Sequence, residues 1–304
     1  MKSRKWIALL VLALLILAVY LWPVPHHDFA EVYANAPADR AASLQAFRAN
    51  YPTSTITVDG LDWEYLAVGK GPQTIVFLHG MTGSYDIWWQ QIEALQGDYR
   101  IIAVTYPAAN SLEKLKKGVL AILEREGVAK FNVVGTSLGG YFAQYLVAKH
   151  PDRIEKAVFA NTFPPNDIIK QKNGTIGSLI PYLPEWLVMN VLRGSFESSI
   201  YPASGNDEMT LAFLNEISYG RMRKAQVAGR YACVVEKFEP PVNTTVPILI
   251  IEAGNDPLVE AALREQLRTT YPDAKVVTVD NGHFPYIATP DFYTQQLKVF
   301  LEKR

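Results

Sequence analysis

Two blocks of alternating strands and helices, separated by a stretch without strands, constrain the fold of this chain more than any other feature. The first block runs from about residue 54 to 160, and the second from 247 to 301. Within them, continuous apolar runs such as Thr74–Leu78 indicate strands buried on both faces. This alternation predicts an α/β fold with a mostly parallel central sheet covered by helices on both faces.

The predicted elements follow one another with short connections. Strands are predicted at 54–58, 63–68, 74–78, 100–105, 131–134, 154–160, 247–252 and 275–279. Helices are predicted at 39–49, 87–95, 111–126, 139–149, 258–269 and 291–301. The stretch at about 162–242 is rich in Pro, Tyr, Trp and Leu and has no clear strand, which predicts a helical lid inserted above the sheet.

The N-terminus places basic residues before an apolar run. Lys2, Arg4 and Lys5 precede residues 6–22, which carry no charge and would form a helix about 25 Å long. This pattern predicts an uncleaved transmembrane signal anchor, with a cleaved signal peptide as the alternative. The positive-inside rule then predicts a cytoplasmic N-terminus and an extracytoplasmic catalytic domain, periplasmic in a bacterium.

These segments predict the domain organisation of the whole chain. The basic stub at 1–5 and the anchor at 6–22 are followed by a juxtamembrane connector at 23–53. The α/β domain is predicted at 54–304 and contains the lid insertion.

Composition excludes several classes of protein. The formal net charge is −1 and no basic stripe is present, so a nucleic-acid partner is not expected. Cys233 is the only cysteine, which excludes an intrachain disulfide and a thiolate metal cluster. The sequence implies no metal and no organic cofactor, and it does not define the oligomeric state.

Residues 135–139, Gly-Thr-Ser-Leu-Gly, match the pattern G-x-S-x-G between a predicted strand and a predicted helix. That context is typical of a nucleophile elbow. The chain passes close on either side of the serine, which explains glycine at Gly135 and Gly139. We therefore predict Ser137 as a nucleophile; the alternative is a glycine-rich turn with a capping serine.

A serine hydroxyl needs a base, and the base needs a group that orients it. His283 lies in a loop after the last predicted strand and is the predicted base. Asp256 follows the strand at 247–252 and is the predicted acid, although it could instead only cap the next helix. Asp280 and Glu252 are weaker alternatives for the acid.

The chain order Ser137, Asp256, His283 is that of α/β-hydrolases. Some of these enzymes keep the acid after the preceding strand, where this chain has Asn161.

Two backbone N–H groups are needed to bind the oxyanion formed during acyl transfer. Leu138, directly after the serine, is the first predicted donor. Met81, in the loop after His79 and Gly80, is the second. His79 and Gly80 are predicted to have structural roles.

These motifs together make residues 54–304 resemble the α/β-hydrolase superfamily. Within it, the chain is similar to the maspardin-like branch at residues 99–107, 136–144, 160–163, 271–274 and 284–286. The resemblance implies a serine hydrolase. Maspardin itself is thought of as a binding protein that lacks the triad histidine, and this chain departs from it by having His283.

The expected activity is cleavage of an ester, thioester or amide bond of a small apolar substrate through an acyl-enzyme. A non-catalytic, membrane-tethered binding protein is one alternative. A small-peptide aminopeptidase is another, and its lid would need acidic residues; the lid segment contains Glu185, Glu197, Asp207 and Glu208.

Overall fold

A computed structural model describes residues 2–241 and 243–302, so predictions that include Met1, Val242 or residues 303–304 extend outside the described residues there. The strands are β1 Ser54–Val58, β2 Leu61–Val68, β3 Thr74–Leu78, β4 Arg100–Thr105, β5 Phe131–Thr136, β6 Ile154–Ala160, β7 Ile248–Ala253 and β8 Lys275–Val279. They form one sheet in the order β1-β2-β4-β3-β5-β6-β7-β8. Only the β1–β2 and β2–β4 pairs are antiparallel, which confirms the predicted, mostly parallel sheet.

The helices near the strands match the predicted ones to within a few residues. The α-helices of the described residues are α1 Lys2–Tyr20, α2 Phe29–Val32, α3 Ala38–Asn50, α4 Trp89–Leu95, α5 Leu112–Arg125, α6 Leu138–Lys149, α7 Ile168–Leu179, α8 Glu185–Ser195, α9 Tyr201–Ala203, α10 Glu208–Glu216, α11 Lys224–Val235, α12 Ala261–Thr270, α13 Pro285–Ala288 and α14 Pro290–Glu302. Short 3-10 or π segments lie at Tyr85–Trp88, Pro151–Arg153, Ile180–Tyr182, Phe196–Ile200 and Ile217–Arg221.

The central sheet separates two hydrophobic cores. Ile75 and Phe77 of β3 belong to the core that includes residues of α3, α4 and α14. Their neighbours Val76 and Leu78 belong to the core formed with α5, α6 and α12. Because alternate side chains of a strand point to opposite faces, both faces of β3 are covered by helices.

The segment between β6 and β7 contains α7 to α11 and no strand among its described residues. We call residues 162–242 the lid segment. It contacts the body near the carboxyl ends of two central strands, because Arg230 of α11 binds backbone carbonyl groups that follow β3 and β4. The edge of the sheet where parallel strands end is where α/β proteins form their binding sites.

Helix α1 differs from the prediction for the N-terminus. Within residues 2–241 and 243–302, no helix combines the length and the hydropathy that crossing a bilayer requires. The predicted transmembrane anchor at 6–22 and the topology derived from it are therefore not supported. The helix ends at Tyr20, so its apolar part from Trp6 extends roughly 22 Å, against about 30 Å of hydrocarbon.

Helix α3 packs against the body of the protein. Leu44 and Phe47 on one of its faces are completely buried in the core, as the apolar stripe of the sequence indicates. Its Arg48 forms ion pairs with Asp86, which follows β3, and with Glu216 of α10, both at 2.7 Å. Arg221 also binds Asp86, at 2.8 Å.

These four residues, Arg48, Asp86, Glu216 and Arg221, are called the Arg48 cluster below. Burial alone would raise the pKa of Asp86, but Arg221 and Arg48 outweigh burial and lower the pKa to about 2. The cluster ties α3, the body and the lid segment together.

Candidate active site

Ser137 forms the tip of a sharp turn between β5 and α6. Its backbone has φ 53° and ψ −120°, a conformation that is strained for a non-glycine residue. A Cβ atom at Gly139 would overlap the carbonyl oxygen of Leu78, and one at Gly135 would overlap the carbonyl oxygen of Gly139. Close backbone contact therefore requires glycine at both positions, as the sequence pattern indicates.

His283 and Asp256 lie side by side beneath the lid segment. His283 Nδ1 lies 2.8 Å from Asp256 Oδ2 and 3.0 Å from Asp256 Oδ1. Since a carboxylate only accepts hydrogen bonds, Nδ1 carries the proton and Nε2 remains free to act as a base. Burial alone would raise the pKa of Asp256, but the charge and hydrogen bond of His283 outweigh it and hold the pKa below its ordinary value.

Asp256 also caps the loop that follows β7. Its Oδ1 accepts hydrogen bonds from the backbone N–H groups of Leu258, at 2.8 Å, and Val259, at 3.1 Å. Asp256 therefore supports this loop but is not the cap of the next helix that the sequence offered as its alternative role, because α12 begins at Ala261 with Glu260 as its N-cap. Several donors on one carboxylate keep it ionised and fix its direction.

The alternative acids occupy other environments. Glu252 is buried and forms an ion pair with Arg268 of α12. Asp280 is exposed at the end of β8, and its Oδ1 would lie 2.5 Å from a Cβ atom added at Gly254. Of the acidic residues that the structure describes, Asp256 is the one hydrogen-bonded to His283.

Asn161 has a role that the sequence analysis did not predict. Its Nδ2 donates to Asp256 Oδ2 at 3.0 Å and to the carbonyl oxygen of Gly282 at 3.1 Å, and so joins the acid to the histidine loop. Its backbone has φ 43°, a conformation that asparagine tolerates better than most residues. The only signal in the sequence was its position after β6, where some hydrolases carry the acid.

The predicted oxyanion donors lie on two sides of Ser137. Leu138 is the first residue of α6, where backbone N–H groups lack intrahelical partners. Met81 belongs to the loop after β3 and lines the same cavity as Ser137 and His283. A Cβ atom at Gly80 would lie 3.1 Å from the Cβ atom of Ser137, so a larger residue would crowd the nucleophile.

His79 is buried and contacts backbone groups on both ring nitrogens. The backbone N–H of Tyr106 donates to its Nε2 at 3.1 Å, so Nδ1 carries the proton and donates to the carbonyl oxygen of Gly80 at 2.6 Å. Burial and the nearby charge of Arg230 lower the pKa of His79 well below its usual value. A neutral histidine that holds the Gly80 loop agrees with the structural role expected for it.

A cavity of about 220 Å³ lies between Ser137, His283 and the lid segment. Most of the side chains around it are apolar: Met81, Phe163, Ile169, Leu192, Phe196, Ile200, Val234, Leu258, Val259, Phe284 and Tyr286. In residues 2–241 and 243–302 no group of three or more His, Cys, Asp or Glu side chains could hold a metal ion. The arrangement combines a serine, a histidine–aspartate pair and an apolar chamber.

Comparison with known proteins identifies relatives of the same architecture. Residues 73–185 match the family described as alpha/beta hydrolase fold. Maspardin from Rattus norvegicus is 30% identical over 217 residues, which cover 68% of this chain and 81% of maspardin. A hydrolase from Pseudomonas aeruginosa superimposes with a TM-score of 0.73 at 21% identity and covers 83% of this chain and 98% of its own. An enol-lactonase from Burkholderia xenovorans gives a TM-score of 0.71 at 20% identity, with 82% and 100% covered.

Proposed function

Because the chain belongs to the α/β-hydrolase family and has maspardin as a relative, we propose that it is a serine hydrolase that cleaves carboxylic esters. The observation that carries this proposal is the hydrogen bond between buried His283 and Asp256 in the same pocket as strained Ser137. A binding protein would have no need of a base held in one tautomer beside a serine.

The proposed reaction is acyl transfer in two steps. The Ser137 Oγ attacks the ester carbonyl while His283 Nε2 takes its proton and Asp256 stabilises the resulting imidazolium. The N–H groups of Leu138 and Met81 bind the oxyanion, and His283 then protonates the leaving alcohol. Water, activated by His283, hydrolyses the acyl-enzyme and releases the acid.

The cavity supports a small apolar acyl group as the substrate. Its volume of about 220 Å³ is below the roughly 300–1,000 Å³ of pockets for drug-sized ligands. None of the residues that line it is Asp or Glu, and a peptidase would use such residues to bind a free amino terminus. Of the predicted lid acids, Asp207 instead binds Arg40, and Glu208 binds the hydroxyl group of Tyr201.

Hydrolysis of p-nitrophenyl esters tests the proposal. We expect turnover to be highest for acetate or butyrate and to fall for laurate and palmitate, because long acyl chains exceed the cavity. A fluorophosphonate probe should label the wild-type protein on Ser137. The Ser137→Ala variant is the control and should show neither labelling nor turnover above the uncatalysed rate.

A non-catalytic binding protein is the competing function, and the maspardin relative is compatible with it. Equal ester turnover by the wild-type protein and Ser137→Ala, together with the absence of fluorophosphonate labelling, would favour that function. Turnover of amino-acyl p-nitroanilides in preference to esters would instead indicate a peptidase.

A lipid surface is the partner that we propose for α1. Apolar side chains are exposed around the whole helix, from Trp6 to Tyr20, and Arg4 and Lys5 lie at its first turn. A protein groove would cover one side of such a helix, whereas the apolar region of a lipid surface can cover the side chains all round. The last turn of α1 is fixed to the lid segment, where Trp186 Nε1 donates to the carbonyl oxygen of Val19 at 2.8 Å.

Flotation with phosphatidylcholine vesicles tests this partner. Replacing Leu10 and Leu14 by Asp should lower the partition coefficient at least about 100-fold, because each exposed leucine contributes roughly 1.5–3 kcal/mol when it enters an apolar phase. Phe292→Asp, which changes an exposed apolar residue of α14, is the matched control and should leave binding unchanged. Equal binding by all three proteins would exclude α1 as the contact.

A further inference from the structure

Arg230 of α11 is a completely buried arginine without a carboxylate partner among the described residues. Its exposed fraction is 1%, and its guanidinium group donates to backbone carbonyl oxygens. Nη1 lies 2.6 Å from the oxygen of Met81 and 3.1 Å from that of Gly83, and Nη2 lies 2.8 Å from that of Tyr106. Nη1 also contacts Met222 Sδ at 3.4 Å. Burying an arginine is costly, so a site that uses one mainly for main-chain contacts needs a reason.

The contacts of Arg230 fall on the loop that carries a proposed oxyanion donor. Met81 and Gly83 belong to the turn after β3, and Met81 lines the cavity beside Ser137. When the carbonyl of Met81 is held, rotation about its backbone bonds is restricted. The Met81 N–H belongs to the preceding peptide group, whose Gly80 carbonyl is held by His79. With the peptide groups on both sides of Met81 held, the direction of its N–H is restricted, and catalysis depends strongly on such orientation.

The other anchors of this loop lie in the body of the protein. His79 holds the carbonyl oxygen of Gly80, and the backbone of Tyr106 holds His79. Tyr106 in turn gives its carbonyl oxygen to Arg230. The guanidinium group thus joins the ends of two central strands and hydrogen-bonds the lid segment to the loop.

The backbone of α11 packs closely against the chain after β4, which brings Arg230 within reach of the loop. A Cβ atom at the preceding residue, Gly229, would lie 2.5 Å from the carbonyl oxygen of Ala109. Glycine at this position therefore allows α11 to approach the chain after β4 closely. Burial lowers the pKa of Arg230 to about 10, so the group stays charged at neutral pH.

We propose that Arg230 is a positioning residue that holds the loop so that the N–H of Met81 faces the oxyanion formed at Ser137. This role rests on the proposed ester hydrolysis. Through Arg230, the lid segment would help to form the oxyanion-binding site as well as cover the cavity. Arg230 does not touch the substrate, and its effect is exerted through the Met81 backbone.

Steady-state kinetics of Arg230→Met tests the role with p-nitrophenyl butyrate. We expect kcat to fall about 10²-fold, the cost of losing one oxyanion donor, while KM stays within about threefold. Affinity for an aryl trifluoromethyl ketone, which forms a tetrahedral oxyanion on the serine, should fall by a similar factor. Arg230→Lys keeps the charge but not the fork of donors, and its kcat should lie between those of the wild-type protein and Arg230→Met.

Arg193→Met is the matched control for loss of a buried lid arginine. Arg193 donates to the carbonyl oxygen of Ser218 at 3.2 Å, within the lid segment, and does not contact the Met81 loop. Its replacement should lower the Tm but leave kcat within about threefold of the wild-type value. An equal loss of kcat in the two methionine variants would show that Arg230 acts only through lid stability.

A folded Arg230→Met with wild-type kcat and ketone affinity would overturn the inference. If that variant does not fold, Arg230→Gln decides, because its single amide cannot hold three carbonyl groups; wild-type kcat in folded Arg230→Gln would also overturn it. The proposed function fails separately, when the wild-type protein is no more active than Ser137→Ala.

Discussion

Replacing Asp256 by Asn is expected to lower kcat for ester hydrolysis about 10⁴-fold, with little change in KM. An amide at this position can donate to His283 Nδ1 instead of accepting from it. The imidazole then places its proton on Nε2, where a lone pair is needed to take the proton of Ser137. The loss follows from the tautomer of the base rather than from altered substrate contacts.

Asp280→Asn is the matched control for Asp256→Asn. It changes the same chemical group in the other loop that the sequence offered for the acid, but Asp280 is exposed. We expect its kcat to remain within about twofold of the wild-type value. A large loss of kcat in Asp280→Asn, with activity retained in Asp256→Asn, would reverse the assignment of the acid. Circular dichroism of each variant would check that the fold is preserved.

Replacing Asp86 by Asn in the Arg48 cluster is expected to lower the free energy of unfolding by about 3 kcal/mol at pH 7. The carboxylate is completely buried between Arg48 and Arg221. Its loss leaves two guanidinium groups with Glu216 as their remaining carboxylate, and removal of one partner from a buried ion pair commonly costs about 3–5 kcal/mol. Urea unfolding followed by tryptophan fluorescence would measure the change.

The effect of Asp86→Asn should depend on pH. The pKa of Asp86 is lowered from 3.8 to about 2, so its ionised form stabilises the fold at pH values above about 4. That contribution, about 2 kcal/mol, is lost as the pH falls from about 4 towards 2, because the folded protein then takes up the proton. The difference between the wild-type protein and Asp86→Asn should therefore shrink over this range.

The exposed ion pair between Asp59 and Lys117 provides the control for the Asp86 experiment. Both side chains are 53% exposed. Asp59→Asn should change the free energy of unfolding by less than about 1 kcal/mol, since surface pairs contribute little. If Asp86→Asn were as mild as Asp59→Asn, the Arg48 cluster would not be a main connection between α3, the body and the lid segment.

Much of the sheet could be predicted because its signals are local. The run Thr74–Leu78 is apolar after Thr74 and buried at every position, and a strand buried on both faces needs this pattern in a short segment. The turn at Ser137 was predictable for a similar reason, since two glycines four positions apart at a strand–helix junction indicate that the backbone passes close on both sides of the serine. The order of Ser137, Asp256 and His283 along the chain then indicated which of them is the nucleophile, the acid and the base.

The structure does not support the N-terminal prediction, and apolar composition did not define where the helix ends. The sequence showed an uncharged run up to Trp22, but α1 ends at Tyr20. No pattern distinguished Leu21 and Trp22 from the residues before them, although Pro23 follows directly. Because α1 ends at Tyr20, its apolar part is shorter than the hydrocarbon layer of a bilayer.

The sequence by itself determined the order of strands and helices, the two elbow glycines and the chemical types placed at the carboxyl ends of the strands. These properties depend on side-chain periodicity and on clashes between residues close in the chain. The tertiary structure alone decided that Asp256 rather than Asp280 binds His283, that Asn161 joins the acid to the histidine loop, and that Arg230 reaches the Met81 loop. Those contacts join residues far apart in the chain, and their partners are backbone carbonyl groups or carboxylates that many positions could supply, so only the packed backbone selects among them.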